Sequence, residues 1–145
     1  MLLKANHLDL VFKLINKLVV TIEVYEELSR SKSLIMPLAN ALLKGKMEIV
    51  ESSDYTNLQG KYSELGIGEI SVIASAAGRI AFIEDRRADK VAEKEGLLVF
   101  NVPELLLVCK KRELINKEEV KQIIERIRKK DRYLLKKEVE EELLK

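Results

Sequence analysis

Glu27, Glu69 and Asp85 are the side chains whose placement invites chemistry, because each lies where the chain passes from one element to the next. Glu27 falls in Thr21-Ile22-Glu23-Val24-Tyr25-Glu26-Glu27-Leu28, just after a short apolar run. Glu69 follows the glycine-flanked turn Leu65-Gly66-Ile67-Gly68. Asp85 ends the run Ile80-Ala81-Phe82-Ile83-Glu84. Acids at such junctions can converge at one edge of an open α/β sheet, where these folds build their sites. Grouped carboxylates suit Mg2+ or Mn2+, because hard cations take oxygen ligands.

The elements that must position these acids alternate between helix and strand, which predicts a parallel sheet covered by helices. Leu8, Val11, Leu14, Ile15 and Leu18 follow helical spacing. Leu18–Ile22 is β-branched and predicts a strand, followed by a helix through Ser29. Pro37 suits the first residue of the next helix, where its missing N–H is harmless, and Gly45 suits its left-handed end. Met47–Val50 is a short strand candidate, and Ser52–Lys61 reads as loop or partial helix. Glu69–Ala77 predicts a buried helix ending at Gly78, and Ile80–Ile83 a short buried strand. Arg86–Glu95 predicts an amphipathic helix closed by Gly96. Leu97–Val102 predicts a strand, and Pro103 the start of a helix to about Arg112. Asn116 and Glu119 make a capping-box pattern ahead of the apolar stripe Val120, Ile123, Ile124 and Ile127. Tyr133, Leu134, Leu135, Val139, Leu143 and Leu144 predict a last helix after a break near Asp131.

The chain has 145 residues, 47% of them hydrophobic, which predicts one domain with room for a core. Its net charge of +2 gives no indication of nucleic-acid binding by itself. No apolar run reaches the roughly 20 residues of a transmembrane helix, and no secretory signal pattern opens the chain. The single Cys109 cannot form an intrachain disulfide, so a cytoplasmic protein is expected. Charged residues at 34% and the lack of Trp lean towards a thermophile.

From Leu2 to about Lys117 the order of motifs resembles the PIN domain family, in its branch of short prokaryotic proteins related to VapC-type toxins. Leu2-Leu3-Lys4-Ala5-Asn6-His7-Leu8-Asp9-Leu10 resembles the family's L-x-K-x-x-x-L-D-L. Val24-Tyr25-Glu26-Glu27-Leu28 resembles V-x-x-E-L, Leu65-Gly66-Ile67-Gly68-Glu69 resembles L-x-x-G-E, and Phe82-Ile83-Glu84-Asp85-Arg86 resembles a strand ending in D-D. Val91-Ala92-Glu93-Lys94-Glu95-Gly96-Leu97 continues the last motif. The resemblance implies a three-layer α/β/α sandwich with a mainly parallel sheet. It also implies metal-dependent cleavage of single-stranded RNA, with Glu27, Glu69 and Asp85 holding Mg2+ or Mn2+. A toxin held silent by an antitoxin protein, and a homodimer, are the partners it implies.

The family's opening strand, which ends in an Asp, has no counterpart here, because Met1 falls inside the segment that should follow it. Asp9 is no substitute, since the resemblance places it within a helix. Either the start was assigned too far downstream, or the short chain is real and degenerate. A central strand buries about four large side chains, each worth about 1.5–3 kcal/mol. That rivals the whole net stability of a domain, about 5–15 kcal/mol, which favours the first explanation. This chain alone is therefore expected to be marginal as a monomer and to dimerise, swap a segment or accept another strand.

Each acid also has a plainer reading. Glu27 resembles its helix-surface neighbours Glu23 and Glu26, Glu69 suits the first turn of a helix, and Asp85 suits a helix cap. Glu84 reads as solvated or supporting, while Asn101 and Glu104 are weaker site candidates. His7 reads as a surface residue and Cys109 as core, with no second His or Cys to make a zinc site. Gly66-Ile67-Gly68 is too short to cradle a phosphate. Arg86, Arg87 and Lys90 suit either RNA phosphates or a solvated face, whereas Arg126–Lys130 and Lys136–Lys137 read as solvated helix. Against the ribonuclease stand an inactive PIN-like module that binds RNA or a protein, and a phosphoacceptor domain using Asp85. The latter lacks its acidic pair and its Lys.

Overall fold

The computed structural model describes residues 8–131 and 135–145, with side chains described for 11–129 and 135–145. His7, Tyr133, Leu134 and most of the first motif lie outside the described residues. The chain divides into two compact units. One holds residues 16–100; the other holds residues up to Ile15 together with residues 101–145.

The 16–100 unit is mixed α/β. Strand β1 (Leu18–Thr21) leads directly into helix α2 (Ile22–Ser29), and α1 (Leu8–Leu14) belongs to the other unit. Thr21 caps α2 by accepting from the Val24 N–H. A 3-10 turn (Lys32–Leu34) runs into α3 (Ile35–Leu43). Pro37 is the third residue of α3, later than expected, and is tolerated because the first four N–H groups of a helix have no intrahelical partner. Strand β2 (Met47–Val50) then pairs in parallel with β1, Val20 opposite Ile49. Leu34, Leu38, Ala41, Val20 and Met47 are buried here.

Helices α4 (Thr56–Lys61) and α5 (Ile67–Ser75) precede strand β3 (Ile80–Phe82), helix α6 (Arg86–Lys94) and strand β4 (Leu98–Phe100). Strands β3 and β4 are parallel, with Phe82 opposite Phe100. A second core gathers Tyr62, Leu65, Ile70, Ile73, Ala76, Ala81, Ile83, Ala88, Val91 and Ala92. The small residues of α6 let it pack closely on β4. Gly96, at φ +81°, ends α6 in the left-handed conformation, so that Leu97 N–H reaches Ala92 C=O.

Parallel pairing is as expected, but the strands form two separate pairs and not one continuous sheet. Among the described residues no strand joins β1 to β3. The β3 strand is also not buried on both faces. Ala81 and Ile83 point inwards, whereas Ile80 is 67% exposed beside Leu98 at 72%, the period-two alternation of a strand covered on one side.

The other unit is helical, built from α1, α7 (Val102–Lys111), α8 (Lys117–Asp131) and α9 (Lys137–Leu143). Helix α7 packs with α8 and α9. Val120, Ile123, Ile124 and Ile127 are all buried, as their spacing predicts, and Asn116 and Glu119 form the expected reciprocal cap. Arg128 Nη2 donates to both Glu140 carboxylate oxygens at 2.9 Å. No helix of the described residues is long and apolar enough to cross a membrane.

Candidate functional site

Glu27, Glu69 and Asp85 all belong to the 16–100 unit, two of them on helices and the third at the N-cap of another. Glu27 is an exposed residue in the second turn of α2. Glu69 is half-buried in the first turn of α5, and its Oε2 accepts from the Gly66 N–H at 3.2 Å. Asp85 precedes α6, and its Oδ1 accepts from the N–H groups of Arg87 and Ala88 at 2.8 and 3.2 Å. The plain reading of Asp85 as a cap is therefore correct, and Glu69 is held in the same manner. Capping engages one oxygen of each acid, leaving Oε1 of Glu69 and Oδ2 of Asp85.

The three acids are near enough to feel one another at Glu69. Its carboxyl is pushed above the usual range, first by burial and then by the negative charges of Asp85 and Glu27. The Gly66 hydrogen bond and the Arg87 charge pull it the other way. Asp89 stands one helical turn beyond Asp85, and its Oδ1 is buried without a hydrogen-bond partner.

The donors suit a hard cation: all are carboxylate oxygens, mutually repelling, with an orphaned carboxylate oxygen on the helix that Asp85 caps. Their spacing is looser than a closed cage. Among the described residues, no three His, Cys, Asp or Glu side chains stand close enough together to hold an ion. A magnesium ion commonly takes one or two protein carboxylates and completes its shell with water and phosphate oxygens, so the donor set fits without such a cage.

Two helices are locked together by groups that the motifs did not single out as functional. Thr21 and Ser71 are both buried, and their hydroxyls lie 2.8 Å apart. Ser71 Oγ donates to the Gly68 carbonyl at 2.7 Å. Its one proton is thereby committed, so Thr21 is the donor to Ser71 while accepting from Val24 N–H. This chain runs from the start of α2, which carries Glu27, to the start of α5, which carries Glu69. The signal in the sequence was a Ser in the middle of a mostly small and apolar helix, and a Thr between a β-branched run and a helix.

The remaining candidates fall elsewhere. Asn101 caps α7 by accepting from Glu104 N–H, and its Nδ2 donates to Glu104 Oε1 at 3.3 Å, so the two serve one another in the helical unit. Glu84 is partly buried, two residues beyond β3. Cys109 is buried in α7 as core. Arg86, Arg87 and Lys90 are exposed on α6.

No curated protein and no solved structure matches the chain. A family model described as PIN domain matches residues 1–145, over the full span that contains the parallel strand pairs and the three acids. That match agrees with the motif order and with the mixed α/β architecture, and the chain belongs to the PIN domain family.

Proposed function

We propose that this protein is a metal-dependent endoribonuclease acting on single-stranded RNA, with Glu27, Glu69 and Asp85 as the ligands of Mg2+ or Mn2+. The single observation that carries this reading is the convergence of acids at Glu69: the Glu27 carboxyl group lies against Gly68, the residue before Glu69, and Asp85 is near enough for its charge to act there as well. Family membership supports a nuclease-like module. When bound, such a cation lowers the pKa of a coordinated water and offsets charge on the attacked phosphate.

The residues supply the rest. The backbone N–H groups of Arg87 and Ala88 fix one oxygen of Asp85, and Gly66 N–H fixes one oxygen of Glu69. Exposed Arg86, Arg87 and Lys90 supply positive charge for the RNA backbone beside these acids. Water attacks phosphorus in line, the bond to the 3′ oxygen breaks, and the products carry a 5′-phosphate and a 3′-hydroxyl. A cytoplasmic toxin paired with an antitoxin, acting as a homodimer, is the setting that motif resemblance favours.

The second reading is a PIN-like module that binds RNA or protein without cutting. The absence of a ready three-acid cage among the described residues favours it. A labelled single-stranded RNA incubated with Mn2+ decides between them. Cleavage to 5′-phosphate ends, lost in Asp85→Asn and in Glu27→Gln, supports the nuclease. RNA retention without cleavage at any Mn2+ concentration supports the binding module.

A further inference from the structure

We infer that Gly68 is a positioning residue, which seats the Glu27 carboxylate by leaving open the space that a Cβ would occupy. The inference rests on the reading of Glu27 as a cation ligand.

A methyl group at Gly68 would lie 2.7 Å from Glu27 Oε1 and 3.0 Å from both Cδ and Oε2. All three heavy atoms of that carboxyl group thus lie against a single Cα. Gly68 has no positive φ, so its backbone would admit any residue. It sits inside the first turn of a helix, where Ala is preferred to Gly. Local geometry therefore gives no reason for glycine here; the neighbouring carboxylate does. Gly60 lies in a helix too, and a Cβ there meets nothing within 4 Å.

The backbone of Gly68 is itself fixed. Ser71 donates to its carbonyl, and Thr21, at the start of the helix that bears Glu27, donates to Ser71. Glu27 is exposed and has three side-chain torsions free to rotate. Contact with Gly68 narrows them to the arrangement that places its charge near Glu69. A methyl group at Gly68 would expel the carboxylate into solvent. Because the displaced group is the far end of a flexible side chain, the fold itself would lose little.

The test is calorimetric titration of Mn2+ alone into the full chain, with thermal melts of each protein. The proteins are wild type, Gly68→Ala, Gly60→Ala, Glu27→Gln and the double variant Gly68→Ala/Glu27→Gln. Gly68→Ala should melt at or above wild type and bind Mn2+ about tenfold more weakly, the usual scale for a displaced supporting group. Gly60→Ala should bind as wild type. The double variant should bind no more weakly than Glu27→Gln, because both changes act through one carboxylate. Wild-type affinity in Gly68→Ala, alongside weakened Glu27→Gln, would overturn the positioning role and leave the cation reading intact. A lower melt in Gly68→Ala, with the double variant weaker than Glu27→Gln, would make Gly68 merely structural and also overturn it. No Mn2+ binding by wild type would overturn both.

Discussion

Thr21 and Ser71 lie fifty positions apart in the chain and meet at 2.8 Å, both buried, each with a further hydrogen bond. A buried hydroxyl left without a partner costs about 1–3 kcal/mol. Ser71→Ala removes the acceptor for Thr21 and the donor to Gly68 together. Urea unfolding should show a loss of about 1–3 kcal/mol, and a Thr21→Val/Ser71→Ala double variant should lose less than the two singles combined.

Asp85 combines a cap with a charge, and two substitutions separate them. Asn keeps the side-chain acceptor for Arg87 and Ala88 N–H, whereas Ala does not. Asp85→Ala should lose about 0.5–2 kcal/mol in chemical denaturation, and Asp85→Asn much less. Both should abolish Mn2+-dependent RNA cleavage. A cleaving Asp85→Asn would show that the cap, and not the carboxylate, is what the reaction requires.

Glu69 carries a strain that its neighbours impose. With its folded pKa raised by burial and by Asp85 and Glu27, the folded state holds its proton longer than the unfolded chain does. That contribution to stability is complete below the unfolded pKa, about 4.3, and is lost as pH rises through the folded value. Glu69→Gln keeps an acceptor for Gly66 N–H but drops the charge. Without divalent cations, its thermal melt at pH 7 should lie above wild type, and the gap should shrink as pH falls towards 4. Added Mn2+ should raise the wild-type melt more than that of Glu69→Gln.

Cys109 is fully buried, and burial pushes its thiol pKa up. The folded state keeps this proton while the unfolded chain, near 8.5, gives it up. Stability should therefore fall as pH climbs above about 8.5, and Cys109→Ala should flatten that fall. In the native protein at pH 8, a thiol reagent should react far more slowly than in urea.

Just past helix α7 and its C-cap Arg112, Glu113 sits at φ +58°, with Glu113 N–H bonded to Lys110 C=O and Leu114 N–H to Cys109 C=O. This is the same closure that Gly96 gives α6, made here by a residue with a Cβ. A left-handed non-glycine residue costs about 1–2 kcal/mol. Glu113→Gly should raise stability by about 1 kcal/mol in denaturant melts, without changing RNA cleavage.

Much of this architecture was legible in residue pattern. The β-branched run before Thr21, the strong amphipathic character of Arg86–Lys94 and the stripe Val120–Ile127 named their elements because burial of one face is a local, periodic property. Gly45 and Gly96 marked helix ends because a left-handed residue is a local demand. The Ile80 segment misled, since a short apolar run reads the same whether one face or two are covered. The division into two strand pairs was equally hidden, because pairing joins distant residues that no local period records. At the site, acid types and junction positions were visible. The Thr21–Ser71 link and the closeness of Gly68 to Glu27 were not, since each depends on how two helices meet.

The strand pairing has a consequence for how the chain folds. Each parallel pair closes over its own stretch of sequence, 18–50 for one and 80–100 for the other. Each can therefore nucleate with modest loop-closure entropy. The hydroxyl link between Thr21 and Ser71 bridges the first stretch to the helix that precedes the second. Hydrogen exchange should accordingly find the amides of each strand pair protected together, with the buried link tying the two stretches into one cooperative block.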